Sequence, residues 1–441
     1  MAGRKKTSEA RTVAAPATLF AGLEEHAVRH QLLGEVHARP FPLMPTPRRV
    51  LHYAFLVEED GARDDRAQIG KLLRAQGQEA PKEAKYVSID FGKVRLRWEQ
   101  HTEFTTYTFD TGVSAEDAFG HKSFADVLPD FSLRAPGKLL VAVEIALVKQ
   151  TLSDDLFRAH FDQLKLSMSK VQDGAALIGT DFAADVTGAT RFLVVNRDLD
   201  DLAAGALLQR LLEIETYRVF ALLTLPEVQR LTPLITQIER QLSDITTSMR
   251  ETSGLDANRL LLNKLTTLAG ELEAHSAATT YRFGATHAYH TIFEQRLAAL
   301  EERRHDAHST LHGFLMRRMN PAMRTVYAFE ARMRDLSEKL SRTANLLRTR
   351  VDIELEAQNR NLLESMNRRA RLQLRLQQTV EGLSVAAVSY YVVGLISYLA
   401  KGTKALGLEL PAGVVEAVAV PVVVAIIWLV VRQIRRGHSG G

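Results

Sequence analysis

The chain of 441 residues contains no cysteine. That absence excludes a disulfide framework, cysteine-ligated zinc, an iron–sulfur cluster and a thiol nucleophile. Aromatic residues are scarce at 7%, and acidic and basic side chains nearly balance, leaving a net charge of +4. So small an excess points to nucleic acid only if it gathers on one surface. Several chemical signatures are missing too. There is no GxxxxGK[ST] phosphate loop, no GxGxxG after a strand, no GxSxG elbow and no HExxH pair. Serines, histidines and aspartates are plentiful, but nothing places them together as a triad. The reading is of a protein that is not an enzyme. The first 18 residues, MAGRKKTSEARTVAAPAT, also lack the apolar stretch of about 7–15 residues that a secretory signal needs. They are expected to form a disordered basic tail, 1–18, that is never translocated.

What the sequence does have lies at its other end. Leu383 to Ala400 is an uncharged run of 18 residues, and Ala417 to Val431 gives another 15. With 412–416 added, the second reaches the length of roughly 17–25 residues that a spanning helix requires. The expected hairpin is therefore transmembrane helix 383–400, an outer loop 401–411 and transmembrane helix 412–431. Tyr398 and Trp428 suit the interface. Arg368, Arg369, Arg371 and Arg375 precede the first span, and Arg432, Arg435 and Arg436 follow the second in the basic tail 432–441. The loop offers only Lys401 and Lys404. Positive charge stays inside, so both termini are expected in the cytoplasm, with the protein in a bacterial inner membrane.

Residues 19–198 read as an α/β-type domain of α+β class. Pro40, Pro42, Pro45 and Pro47 favour an extended path. Strands are predicted at 50–57, 86–90, 94–99, 104–109, 139–149, 175–178 and 191–195 from alternating or β-branched runs. Short helices are expected at 63–77, 114–127 and 153–160. From 199 to 382 the period becomes helical, with a break near Ser253-Gly254. The last helix is expected to start after Pro321 or to pass through a kink there. Val326, Phe329, Met333, Leu336, Leu340, Leu347, Val351, Leu355, Leu362, Met366 and Leu376 continue its apolar series to the membrane. A stalk of that length should pack against sister helices or its own preceding hairpin.

An α/β head, antiparallel helices, one long helix entering the membrane, a short outer loop and a returning basic-ended span resemble the CorA type of divalent-cation transporter. That resemblance implies a homo-oligomer, with a pentamer its specific form, in which the first span lines a pore and divalent metal passes. The family's Gly-Met-Asn motif is replaced here by Leu399-Ala400-Lys401-Gly402-Thr403-Lys404. A narrower resemblance rests on Glu35-Val-His37-Ala-Arg39-Pro40-Phe41-Pro42, Leu212-Glu213-Ile-Glu215-Thr-Tyr217-Arg218 and Ser389-Tyr390-Tyr391-Val-Val-Gly394. These are similar to a bacterial family of membrane-anchored proteins classed only as a domain of unknown function.

The candidate sites follow. Ser384, Ser389, Tyr390, Gly394, Ser397, Lys401 and Lys404 are pore-lining candidates. The serines and glycine serve equally as close-packing positions between helices. Five copies of Lys401 and Lys404 at a pore mouth would oppose cations. His305, His308 and His312 in HDAHSTLH could put two imidazoles on one helix face for a divalent metal, or lie solvated at a helix tip. His287 and His290 are three apart. Asp181 and Asp185 could join an acidic metal site between subunits, or cap and solvate a loop. His37 and Arg39 could meet a partner, or belong to a strap along the domain. Between Arg303 and Arg375 there are 16 basic and 8 acidic residues. Beside a membrane, that surplus suits anionic lipid headgroups, and no nucleic acid is expected. No cofactor is indicated beyond a divalent metal ion. Two functions remain, ion transport through the first spans and a non-conducting anchored scaffold.

Overall fold

The computed structural model describes residues 26, 28–29, 41–79, 85–113, 118–119, 132–149, 155–403 and 412–438. The tail 1–18, His37, Arg39, Lys404 and most of the helix expected at 114–127 lie outside the described residues. The chain divides into two compact units, Met1–Glu239 with Gly270–Ser337 and Arg240–Ala269 with Glu338–Gly441.

The first unit is built on nine strands: β1 Arg48–Leu56, β2 Tyr86–Asp90, β3 Val94–Gln100, β4 Phe104–Gly112, β5 Lys138–Lys149, β6 Ser167–Val171, β7 Ala176–Thr180, β8 Thr190–Asn196 and β9 Arg303–Arg304. They form one mixed sheet in the order β2-β3-β4-β1-β5-β8-β7-β6-β9. β5 and β8 run parallel, and the other pairs whose register is given are antiparallel. Alternation decides the faces. On β1, Val50 and Ala54 join one core, while Phe55 joins another on the opposite side. Central β5 is buried on both faces over VEIALV, as a strand covered twice must be.

Helices α1 Glu59–Ala75 and α2 Asp155–His160 cover one face. Ile69 and Leu73 of α1 pack on Ile89, Leu96 and Trp98, and Phe157 of α2 packs on Met168, Leu177 and Leu193. Gly179 is needed beneath α2, because a Cβ there would stand 2.3 Å from the Phe157 ring. The opposite face receives α3 Asp201–Leu222, the end of α5 Leu255–Ala298 and the start of α6 Leu311–Thr403. Leu207, Leu208, Leu211, Phe293 and Leu315 meet Val143, Ile145 and Phe192 there. Full burial of each such side chain stabilises by roughly 1.5–3 kcal/mol relative to exposure. Asp200 caps α3, its Oδ1 accepting from the Ala203 amide at 2.7 Å.

In the second unit α4 Leu225–Glu251 turns into α5 through Gly254, whose φ of 105° favours glycine. Leu242, Ile245, Met249, Leu261, Leu265 and Leu268 are buried there, as are Leu340 and Leu347 of α6. The turn is pinned to α6: Arg350 Nη1 donates to the Met249 carbonyl, and Glu354 Oε1 accepts from Gly254 N at 3.1 Å and Asn258 Nδ2 at 2.8 Å. From Leu355 to Val380 every residue is exposed. α6 continues to Thr403, and α7 Ala412–His438 follows. The end of α6 and Glu416–Gln433 are each long and apolar enough to cross a membrane, by length and composition. The class is α+β.

Two expectations change. The sequence reading places no strand at β6 or β9, yet both close the sheet edge. α6 begins at Leu311 rather than after Pro321 and runs 93 residues through that proline, the second of the two courses expected there. Caps set that start. Thr310 Oγ1 accepts from Gly313 N at 3.0 Å, and Glu302 Oε1 accepts from His312 N at 2.7 Å.

Candidate functional site

The densest polar constellation lies under α3. Cross-strand register aligns Arg97 of β3 with Thr108 of β4, and Thr108 with His52 of β1. All three therefore share the face toward α3, which brings Gln209, Glu213 and Thr216 down at helical steps of four and three. His52 is clamped between hydroxyls, with Nδ1 2.8 Å from Thr108 Oγ1 and Nε2 3.2 Å from Thr216 Oγ1. Burial, then the charges of Arg97 and His101, push its pKa down to about 3, so the ring is neutral. Arg97 is 2% exposed and donates from Nη1 to Gln209 Oε1 at 3.0 Å. Its Nε has no hydrogen-bond partner among the described residues. Gln209 passes the chain on to Glu213, which also pairs with Arg296 of α5.

Beside this row, Glu215 is 1% exposed and is held bidentately by Arg218, with Thr190 Oγ1 at 3.2 Å. Phe104, Phe220, Tyr217 and Tyr289 seal one end, with the Phe104 and Phe220 rings 4.3 Å apart. The cleft between these groups, lined by His52, Glu99, His101, Thr106, Gln209 and Glu213 among others, has a volume of about 30 Å³. That is room for about one water molecule. Its chemistry is that of a hydrogen-bonded seam fixing α3 on the sheet. The Leu212 to Arg218 motif marks this helix face. Its partners His52, Arg97 and Thr108 lie more than 100 residues earlier, beyond any local signal.

In the histidine-rich segment His312 lies at the tip of α6, while His305 and His308 lie outside any helix. Residues 301–310 form a turn rather than a helix, because β9 pairs with β6 and the segment's hydroxyl and carboxylate cap α6. His305 is buried, His308 half-buried and His312 exposed on the first turn of α6. Glu302 ties Ser169 Oγ at 2.7 Å as well as the His312 amide. Among the described residues no group of three or more His, Asp or Glu could hold a metal ion. Asp181 and Asp185 are taken up by their own loop: Asp181 Oδ1 accepts from Ala183 N, and Asp185 Oδ1 from Thr187 N, Thr187 Oγ1 and Ala189 N. His287 and His290 fasten α5 to α6, His287 Nε2 lying 2.7 Å from Glu330 Oε2 and His290 Nδ1 2.9 Å from the Tyr327 hydroxyl.

On the hairpin the pore candidates separate into two sets. Ser389 is buried at 5% exposure, Gly394 is half-buried, and Ser397 donates to Glu416 of α7. Ser384, Tyr390 and Lys401 are exposed. The outward surface also carries Leu383, Val388, Tyr391, Leu395 and Leu399. Near the far end of α7, the Arg432 guanidinium lies 5.0 Å from the Trp428 ring centroid.

Residues 24–438 match the model of a family described as protein of unknown function DUF3422. No curated protein matches the chain, and neither does any solved structure. No relation to the CorA type is shown. The chain belongs to the DUF3422 family.

Proposed function

We propose that this DUF3422 member is a non-enzymatic, membrane-anchored binding protein of a bacterial inner membrane. Its sheet unit faces the cytoplasm, and the end of α6 with α7 forms a two-span anchor. The sorting of side chains on the hairpin carries this reading. Hydroxyls at Ser389 and Ser397 turn inward or bond Glu416, while leucines, valines and tyrosines point outward. That pattern suits helices packed on each other and bathed in lipid. Exposed Arg368, Arg369, Arg371 and Arg375 before the span, and Arg432 after it, favour the cytoplasmic side for both flanks.

Ion conduction is the second reading, and exposure of Ser384, Tyr390 and Lys401 favours it. Those groups are free to face sister helices. Lys401 then sets positive charge at the mouth, which disfavours cations.

One experiment separates the two. The full chain is expressed, its membranes are washed with alkaline carbonate, and the purified protein is placed in liposomes. The expected result is retention in the washed pellet, with no flux of magnesium, cobalt, nickel, zinc or chloride above empty vesicles while a known channel works in parallel. Saturable flux that changes in Lys401→Ala would sink the anchor reading in favour of transport. Release into the carbonate supernatant would remove both.

A further inference from the structure

Between Leu340 and Val380, α6 carries one mainly apolar face, and only its upper part is covered. At about 100° per residue, Leu340 and Leu347 lie on the same side as Leu355, Leu362, Met366, Leu372, Leu376 and Val380, within an arc of about 120°. Leu340 and Leu347 are 1% and 0% exposed, just before the point where the α4–α5 turn meets Arg350 and Glu354. That turn ends where Gly254 and Asn258 bond Glu354. Past it the same face is bare, with Leu362, Leu372 and Leu376 about 60% exposed (61%, 59% and 66%). The open stretch from Leu355 to Val380 is about 38 Å long at 1.5 Å per residue.

We propose that this stripe docks against the same stripe of a second copy of the chain, with the two α6 helices parallel. Continuity with the existing interface is the first argument. The face is an internal packing surface upstream, so its extension calls for another helix in the place the α4–α5 turn vacates. Charge supplies the second. Arg360, Glu364, Arg368, Arg371 and Arg375 all fall off the stripe, and Arg369 is its one charged residue between Leu355 and Val380, so a mainly apolar helix suits it better than a charged partner. Geometry supplies the third, and it rests on the anchor reading above. Two copies entering one bilayer present their stripes at equal height and in the same direction. Leu355, Leu362, Leu376 and Leu383 recur every seven residues, the spacing of a helix–helix seam.

Arg369 occupies the remaining position of that series and is exposed. In the paired state two guanidinium groups share one layer. A single polar residue in such a seam weakens association and fixes its register.

The test uses the cysteine-free sequence as its blank. Leu362→Cys and Leu376→Cys, on the stripe, and Glu364→Cys, on the opposite side, are made singly in the full chain. Each is treated in membranes with a short bis-maleimide. A band of two chain masses is expected for the stripe cysteines, at least fivefold stronger than for Glu364→Cys. Arg369→Leu, combined with Leu362→Cys, is expected to raise the linked fraction severalfold after dilution into excess lipid. Equal linking from both sides overturns the inference, as does no linking, an adduct to a different protein, or no gain from Arg369→Leu. The carbonate-washed pellet keeps the two questions apart. Protein retained there but unlinked refutes the docking alone, whereas protein released refutes the anchor.

Discussion

Leu211 and Leu362 are both leucines at helical spacing on long helices, yet one is wholly buried and the other 61% exposed. In the sheet unit, α3 lands on a surface supplied by the same chain, and strands from residues 48 to 304 assemble to receive it. In the helical unit, the described residues cover α6 as far as Glu354 and again near Ser389, but not from Leu355 to Val380. Apolar periodicity therefore states that a face needs a partner, without saying which molecule provides it. Among the described residues, the core of the sheet unit is covered by its own chain, whereas Leu355 to Val380 of α6 is exposed.

The sharpest way to break that contrast is a pair of truncations on the same helix face. Leu347→Ala removes a fully buried side chain and is expected to cost about 2–5 kcal/mol in denaturant unfolding of the detergent-solubilised protein. In a single chain, with no second copy paired to it, Leu362→Ala should change that stability by less than about 0.5 kcal/mol, because its own chain leaves that side chain in solvent. Equal losses at both positions would mean that α6 is covered throughout.

A smaller effect tests the sheet unit alone. His52 is neutral in the fold with a pKa of about 3, against about 6.5 when unfolded. Below pH 6.5 the unfolded chain takes up a proton that the folded chain refuses, so stability falls as the pH drops from 6.5 toward 3. The slope should be roughly 1 kcal/mol per pH unit, and His52→Gln should flatten that part of the profile. An unchanged slope in the variant would mean that the ring titrates freely. A comparably modest effect is expected at the α3 cap. Asp200→Ala should lower stability by about 1 kcal/mol, measured by the same unfolding, and Asp200→Asn should restore most of it.

Much of this architecture is legible in the residues. Strands 86–90, 94–100 and 104–112 announce themselves by alternation, and the helical series from Leu202 onward by its steps of three and four. β6 does not, because SMSKV offers a single valine, and its burial comes from Glu302, Ser309 and Leu311, more than 130 residues later. HDAHSTLH allows either helix-borne metal ligands or histidines at a helix tip, because spacing of three and four is ambiguous in a short polar run. Ser309-Thr310 ahead of Leu311 was the available cap signal, and it places the helix start correctly. The row of Arg97, Thr108 and His52 has no local trace, since strand pairing alone assembles it.

The two-residue strand β9 also sets an order of events during synthesis. Arg304 is the last residue the sheet requires, and Leu383, where the first long apolar run begins, is made 79 residues later (383 − 304). At about 5–20 residues per second, that interval is roughly 4–16 s. The sheet can thus be closed and its edge strand paired before the first long apolar run leaves the ribosome.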